Sequence, residues 1–307
     1  MSLRVTQSMT TTQMLGNLNN NLIRMNAMQN QLSTGRKINK PSDDPVGITY
    51  SLRYRGELNA NEQYTKNVDS ASSWLDNSDT VLDSANTVLQ RIRELAVQGS
   101  NSSNDQTALN SIKNEVGELY SQLVDVGNTK FNGKYILNGQ KTDVQPYSKV
   151  DLTDTSGAAK AYTNNTDTGE IPFELGSGTT IPINITGSEA LGSSTDDDNA
   201  FKIIQDLYDA LGAGNTTGVS ATLDRIDTRM NKILESRSQV GARTNRVDLI
   251  KNRLSDTNTN LETLKSNAED ANMSEVIINL QTSENVYQAS LSTGSKLIQS
   301  SLVDYLK

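Results

Sequence analysis

Apolar residues recur along most of this chain in steps of three and four, the period of a helix that buries one stripe. The longest run is Val68, Ala71, Leu75, Ser78, Leu82, Ala85, Leu89, Ile92 and Ala96, and a second row, Trp74, Val81, Val88 and Leu95, runs beside it. Together they predict one long helix whose stripe is broad enough to need more than one partner. The stretch GSNSSND at 99–105 breaks it, and a shorter helix, about Gln106 to Val126, follows with Leu109, Ile112, Val116, Leu119 and Leu123. In the second half, Phe201, Ile204, Leu207, Tyr208 and Leu211 predict a short helix. A long seam then runs Leu223, Ile226, Met230, Ile233, Val240, Val247, Leu254 and Leu261. Arg237, Thr244, Lys251 and Asn258 occupy the alternate row, where polar residues cost stability but can set register.

The two ends carry thinner seams. Leu15, Leu18, Leu22, Met25 and Leu32 mark one over residues 11–32, in a segment weakened by Asn17, Asn19, Asn20 and Asn21, which are poor helix formers. Ile277, Leu280, Tyr287, Leu291, Ile298 and Tyr305 mark the other, from Met273 to the end. Both predict helices that need a partner, and these residues are the expected coiled-coil assembly contacts.

Between residues 131 and 200 the helical period disappears. GEIPFELGSGTTIPINITG predicts two short strands joined by a Gly-Ser-Gly turn, with Pro172 and Pro182 at edge positions, and YILNG at 135–139 predicts another strand and turn. The expected fold is mainly α with a β-rich insert, with N- and C-terminal helices running together, a long helical rod and a small β domain at its tip. The expected divisions are 1–45, 46–130, 131–200, 201–270 and 271–307.

One segment stands out between two helical patterns. LSTGRKINKPSDDPVG holds a basic cluster (Arg36, Lys37, Lys40), two adjacent carboxylates (Asp43, Asp44) and two prolines (Pro41, Pro45). Gly35 suits a helix end. The prolines disfavour helix in the residues before them, and the carboxylates suit the start of the next helix. Stop, turn, cap and restart account for every residue, whereas a catalytic Asp pair would need a partner base that is not evident. Asp196, Asp197 and Asp198 lack the EF-hand calcium pattern and read as a solvated turn with one Asp capping the helix at Phe201. Gly176 and Gly178 have no helix after them to bind phosphate. LQRIRELAVQ at 89–98 sets Arg91, Arg93 and Glu94 opposite its apolar stripe, as a solvated face or a protein-contact face.

Composition narrows the chemistry. The 307 residues contain no Cys and no His, which excludes disulfides, thiolate or imidazole catalysis and Cys/His zinc sites. With 36 acidic against 28 basic residues the net charge is −8, against a nucleic-acid footprint. Hydrophobic content of 34% and aromatic content of 5% suit helices burying single stripes better than a thick core. No apolar stretch of about 18 residues predicts a membrane span. The start, MSLRVTQSMTTTQML, lacks the apolar segment of a secretory signal, so export would need another route. Neither a metal nor a cofactor is expected.

LSTGRKINKPSDDPVG followed by TVLQRIRELAVQGSN at 87–101 resembles the N-terminal signature of the flagellin family. RVDLIKNRLSDTNTNLETLKSNAEDANMSEVIINL resembles the family's C-terminal region, with Glu269, Asp270 and Asn272 in place of its acidic motif before the last helix. The likeness covers about 1–130 and 201–307. Within the family, the start MSLRVTQSMTTTQMLGNLNNNL, the segment FNGKYILNGQKTDVQPY and the end LIQSSLVDYL resemble the hook–filament junction branch rather than the filament subunits, whose usual terminal motifs are absent.

The resemblance implies a structural, non-enzymatic subunit of the extracellular flagellum, exported without a cleaved signal peptide. Its terminal helices would form an inner coiled coil, ordering on assembly. Arg36, Lys37, Pro41, Asp43, Asp44 and Pro45 would connect the arm to the rod. Implied partners are further copies in a ring, the adjacent hook-associated protein and flagellin, and an export chaperone at the C-terminal arm. Leu89, Gln90, Arg91, Arg93, Glu94 and Leu95 would offer an inter-subunit contact or an innate immune receptor contact. The alternative within the family is the filament subunit itself. A metalloprotease insert would need an H-E-x-x-H motif, which a chain without His cannot supply. A needle or tip protein of a virulence secretion system would share the coiled-coil logic but not the SDDP and LQRIRELAVQ motifs.

Overall fold

A computed structural model describes residues 7–153 and 160–305, with side chains described for 9–153 and 160–295. Among the described residues the chain is mainly helical: α1 (Gln7–Thr34), α2 (Pro45–Gly99), α3 (Gln106–Gly127), α4 (Gly187–Ala190), α5 (Ala200–Gly212), α6 (Thr216–Glu269) and α7 (Met273–Tyr305). Two antiparallel hairpins, β1 (Lys130–Phe131) with β2 (Lys134–Tyr135) and β3 (Pro172–Gly176) with β4 (Thr179–Pro182), lie between α3 and α4. Packing divides the chain into a terminal unit, Met1–Ala60 with Asp256–Lys307, and a central unit, Asn61–Ser255.

The central unit holds a continuous apolar core. Both rows of α2 are buried along their whole length, from Val68 to Ala96 and from Trp74 to Leu95. On α6, Ile226, Ile233, Val240, Val247 and Leu254 are buried, and Val219 extends the same row N-terminally. A strict seven-residue repeat on α6 keeps one edge facing a partner. That partner is α2, which runs antiparallel to it: Arg93 pairs with Asp227, Arg237 with Asp79 and Asp83, and Lys251 with Asp69. Arg237 and Lys251 thus act as flanking ion pairs rather than core breaks, because their long side chains reach past the seam to carboxylates on α2. Helix α3 packs against α5, and Asp105 caps its start by accepting from Ala108 N at 2.8 Å.

The insert contributes to the same core through Ile136, Leu137, Tyr147, Leu175, Ile181, Ile183 and Ile185. Tyr147 packs on Phe201 of α5, and Phe131 meets Trp74 of α2 edge-on. The β1–β2 turn is Asn132-Gly133, both at positive φ, as a two-residue turn with right-handed strand twist requires. The predicted strand at YILNG is shorter than expected, since β2 ends at Tyr135 and Ile136 and Leu137 turn into the core. The β3–β4 hairpin follows the predicted Gly-Ser-Gly turn, with Gly178 at φ +70° and Pro172 opposite Pro182. In a two-stranded sheet both prolines occupy edges and leave no ladder donor missing inside.

The acidic turn before α5 differs from expectation. Asn199, not an Asp, caps α5, accepting from Phe201 N at 3.0 Å and Lys202 N at 3.2 Å. Asp198 is instead drawn inward to Arg229, whose side chain is only 1% exposed. Arg229 Nη2 lies 2.9 Å from Asp198 Oδ1, and its Nε donates to Asp198 O at 2.6 Å. Lys232 Nζ lies 2.9 Å from the other carboxylate oxygen. A buried guanidinium demands a charged partner, and the turn supplies one.

Candidate assembly interface

The terminal unit begins with α1, which ends at Gly35 (φ +70°), where Gly35 N donates back to Gln31 O at 2.8 Å. Asp43 then closes a tight turn by accepting from Asn39 N at 3.0 Å and Lys40 N at 2.8 Å. Asp44 caps α2, accepting from Val46 N at 3.1 Å and Gly47 N at 2.9 Å, with Pro45 in the first turn. The two adjacent carboxylates therefore point to separate sets of backbone amides and do not converge. Ile38 is the buried anchor of this connector, beside Gly47. Arg36, Lys37, Pro41, Asp43 and Pro45 remain exposed, and Asp44 is partly buried. Residues of α1 and the connector, among them Ile23, Asn30, Lys37 and Asp43, line a shallow groove.

Helices α1 and α7 pack together. The matches Met14 with Gly294, Asn21 with Ser283 and Arg36 with Asp270 step in opposite directions along the chain, so the pair is antiparallel. Asn21 Nδ2 donates to Ser283 O at 2.9 Å, and a Cβ on Gly294 would overlap the Met14 side chain. Leu18, Leu22, Met25 and Leu32 sit at this contact side, partly buried, as do Leu280 and Tyr287. Leu15, Ile277 and Leu291 do not: they are 57%, 42% and 45% exposed. In their place Met14, Met28, Val276 and Gly294 turn inward. The reason is rotational. On α1, Met14 and Met28 join Leu18, Leu22, Met25 and Leu32 on the covered side while Leu15 turns out, and on α7, Val276 is covered in place of the adjacent Ile277. The side chains of Ile298 and Tyr305 lie outside the described residues.

A polar node joins this unit's chain reversals. Glu269, at the end of α6, accepts from Ser51 Oγ, from Arg55 Nε at 3.0 Å and from Arg55 Nη2, and Arg36 Nε lies 3.8 Å away. Burial alone would push the Glu269 carboxyl up, but hydrogen bonds from Ser51 and Arg55, with the Arg55 and Arg36 charges, hold it below the ordinary glutamate range. The acidic motif points to Glu269, whereas no motif marks Ser51 and Arg55. Their four-residue spacing on α2 is the signal that places them on one face.

The LQRIRELAVQ segment lies in the central unit and is divided by its helical geometry. Leu89 and Leu95 are in the core, covered because they belong to the two apolar rows of α2, and are not available as contacts. Gln90, Arg91, Arg93 and Glu94 are exposed. Arg91 pairs with Glu94 and with Glu115 of α3, and Arg93 pairs with Asp227 of α6. Among the described residues no cluster of three or more acidic side chains could hold a metal ion, and no helix is long and apolar enough to cross a membrane.

Comparison with known proteins accounts for these features together. Residues 5–142 match the bacterial flagellin N-terminal helical region, and residues 223–306 match the bacterial flagellin C-terminal helical region. The flagellin of Bacillus subtilis (strain 168) is 28% identical over 302 residues, spanning 94% of both chains. Among solved structures, FlgL of Bacillus cereus aligns over 70% of this chain and 99% of its own, with a TM-score of 0.58 and 20% identity. The flagellar junction protein FlgL of Legionella pneumophila aligns over 72% and 100%, with a TM-score of 0.57 and 18% identity. The chain belongs to the flagellin family, structural proteins of the bacterial flagellum.

Proposed function

We propose that this chain is a hook-associated protein of the hook–filament junction, the role of hook-associated protein 3, and that it acts by assembling into a ring through its terminal helices. One observation carries the assembly reading. The α1–α7 pair leaves Leu15, Ile23, Ile277, Ile278 and Leu291 in water. A helix pair with an uncovered apolar side is stabilised by further helices, and copies of the same chain supply them. In the ring the connector from Arg36 to Pro45 carries the chain from the coiled coil into α2. Neighbours are the adjacent hook-associated protein on one side and flagellin on the other. Before assembly, an export chaperone covers the exposed face of the C-terminal arm, residues 273–307. The exposed charged face at Gln90, Arg91, Arg93 and Glu94 is a further contact for a neighbouring subunit or an immune receptor.

The junction role is supported by the chain's ends, by FNGKYILNGQKTDVQPY, and by the alignment along essentially the full length of the junction protein. The filament-subunit reading is favoured by the end-to-end match to the Bacillus subtilis flagellin. Deleting the gene separates them. Cells with hooks but no filaments, shedding another flagellin as monomer, establish the junction role. Cells with no flagellin in the medium establish the filament subunit, and intact filaments refute both.

A further inference from the structure

The dipeptide Asn-Gly occurs twice in the chain, at Asn132-Gly133 and at Asn138-Gly139, both in the insert. An asparagine followed by glycine is chemically labile. The glycine nitrogen, losing its proton, bonds to the asparagine Cγ and closes a five-membered succinimide. The C–N bond of the side-chain amide breaks, and that nitrogen leaves as ammonia. Water then opens the ring at either carbonyl. One opening gives aspartate; the other gives isoaspartate, whose main chain runs through the side-chain carbon. Glycine permits the attack best, because it has no Cβ to shield its nitrogen and its backbone turns freely.

The two dipeptides share this chemistry and differ in their surroundings. Asn132 and Gly133 form the β1–β2 turn, and both are exposed. Among the described residues, neither the Asn132 side chain nor Gly133 N makes a hydrogen bond. A Cβ on Gly133 would meet nothing within 4 Å. The ladder behind the turn is two residues long on each side, so little holds the turn closed against the rotation that brings Cγ to the nitrogen.

Asn138 is only 4% exposed. Its Nδ2 donates to Lys141 O at 3.1 Å and to Val144 O at 2.9 Å, and its Oδ1 accepts from Asp167 N at 3.0 Å. Gly139 is buried as well, and a Cβ there would overlap Asp167 O. The same attack at Asn138 would first have to break three hydrogen bonds in a closed space.

We propose that Asn132 is a site of spontaneous deamidation in the folded protein, and that the fold shields the identical dipeptide at Asn138. The change puts a carboxylate in place of a neutral amide between Lys130 and Lys134, both exposed. The site lies in the central unit, so it stands whether the chain forms a junction or a filament, and whether or not the terminal helices are assembled.

Ageing the full-length protein at mildly alkaline pH, followed by tryptic digestion and mass spectrometry, tests it. Cleavage after Lys130, Lys134 and Lys141 puts the two sites in separate peptides, FNGK and YILNGQK. A portion digested at the start corrects for conversion during digestion. Asn132 is expected to convert steadily, and Asn138 at least about tenfold more slowly, the factor set by breaking one or two buried hydrogen bonds. In urea high enough to unfold the chain the two rates should converge. Gly133→Ala should slow conversion at Asn132, while Asn138, still unreactive, reports that the variant is folded. A native protein in which Asn132 is as slow as Asn138 overturns the proposal. So does a native protein in which Asn138 converts as fast as Asn132, or a difference between the sites that persists in urea.

Discussion

The central and terminal units are built from the same helical vocabulary, yet they bury their side chains differently. In the central unit two helices with broad stripes are surrounded by α3, α5 and the insert, and both rows of α2 disappear from solvent. In the terminal unit two thinner seams face each other alone. Met9, Leu15, Ile23, Val46, Leu52, Ile278 and Val286 remain in water there. A complete core is a property of a finished fold. A stripe covered on one side is a property of a component awaiting others. The difference also assigns the polar groups. In the central unit a buried Arg229 is served by a turn of its own chain, whereas in the terminal unit a buried Glu269 holds chain reversals with little apolar support.

The comparison can be broken most forcefully at Arg229. Replacing it with Ala takes one of the two cationic partners from Asp198 and leaves several backbone carbonyls without a donor, and the central unit is expected to lose about 3–5 kcal/mol in denaturant unfolding. Arg229→Lys should recover little, because a point charge cannot serve the spread acceptors of a guanidinium. A loss below about 1 kcal/mol would mean that the turn is held by other contacts.

A matched pair of cavities sharpens the contrast. Leu82→Ala in the closed core should cost about 2–5 kcal/mol. Leu18→Ala, at the partly covered α1–α7 contact, should cost about 1–2 kcal/mol in the monomer by lost transfer alone. It should weaken assembly more than it weakens the monomer, as seen in sedimentation of the polymerised protein. Equal costs in the monomer would show that α1 and α7 are as firmly packed as the core.

Acid should act on both units. The Glu269 and Asp198 carboxyls are held below their ordinary values, at Asp198 because Lys232 and Arg229 outweigh the effect of burial. For depressed acids the stabilisation is present above the unfolded pKa, about 4 for these groups, and is lost as pH falls through the folded one. Unfolding midpoints should therefore be flat near neutrality and drop below that range. Arg229→Met should remove part of the drop, as read by urea titrations at stepped pH.

The smallest effect is expected at the exposed pair of Arg91 with Glu115. Arg91→Ala should leave the melting temperature unchanged, because exposed ion pairs are screened and entropically costly. A changed binding of neighbouring copies in that variant would identify the face as an assembly contact rather than a solvated one.

The sequence alone determined where helices run and what kind of fold they make. The seven-residue row from Ile226 to Leu261 and the double row of α2 are long enough for period to decide the buried face, and the structure buries those rows. The connector was equally legible, since Gly35, Asp44 and Pro45 each have one local use, and local chemistry needs no tertiary context. The tertiary structure alone decided the rotation of the terminal helices. On α1 the row through Leu18, Met25 and Leu32 is flanked by Met14 and Met28 on one side and by Leu15 and Leu22 on the other. Both Met14 and Leu15 fit the period, and only the close approach of Met14 to Gly294 decides that Met14 is covered and Leu15 is not. The same holds for polar groups whose partners are distant in sequence. Glu269 meets Ser51 and Arg55, and Arg229 meets Asp198, because separate helices bring them together. Periodicity describes one helix at a time and carries no record of what lies across from it.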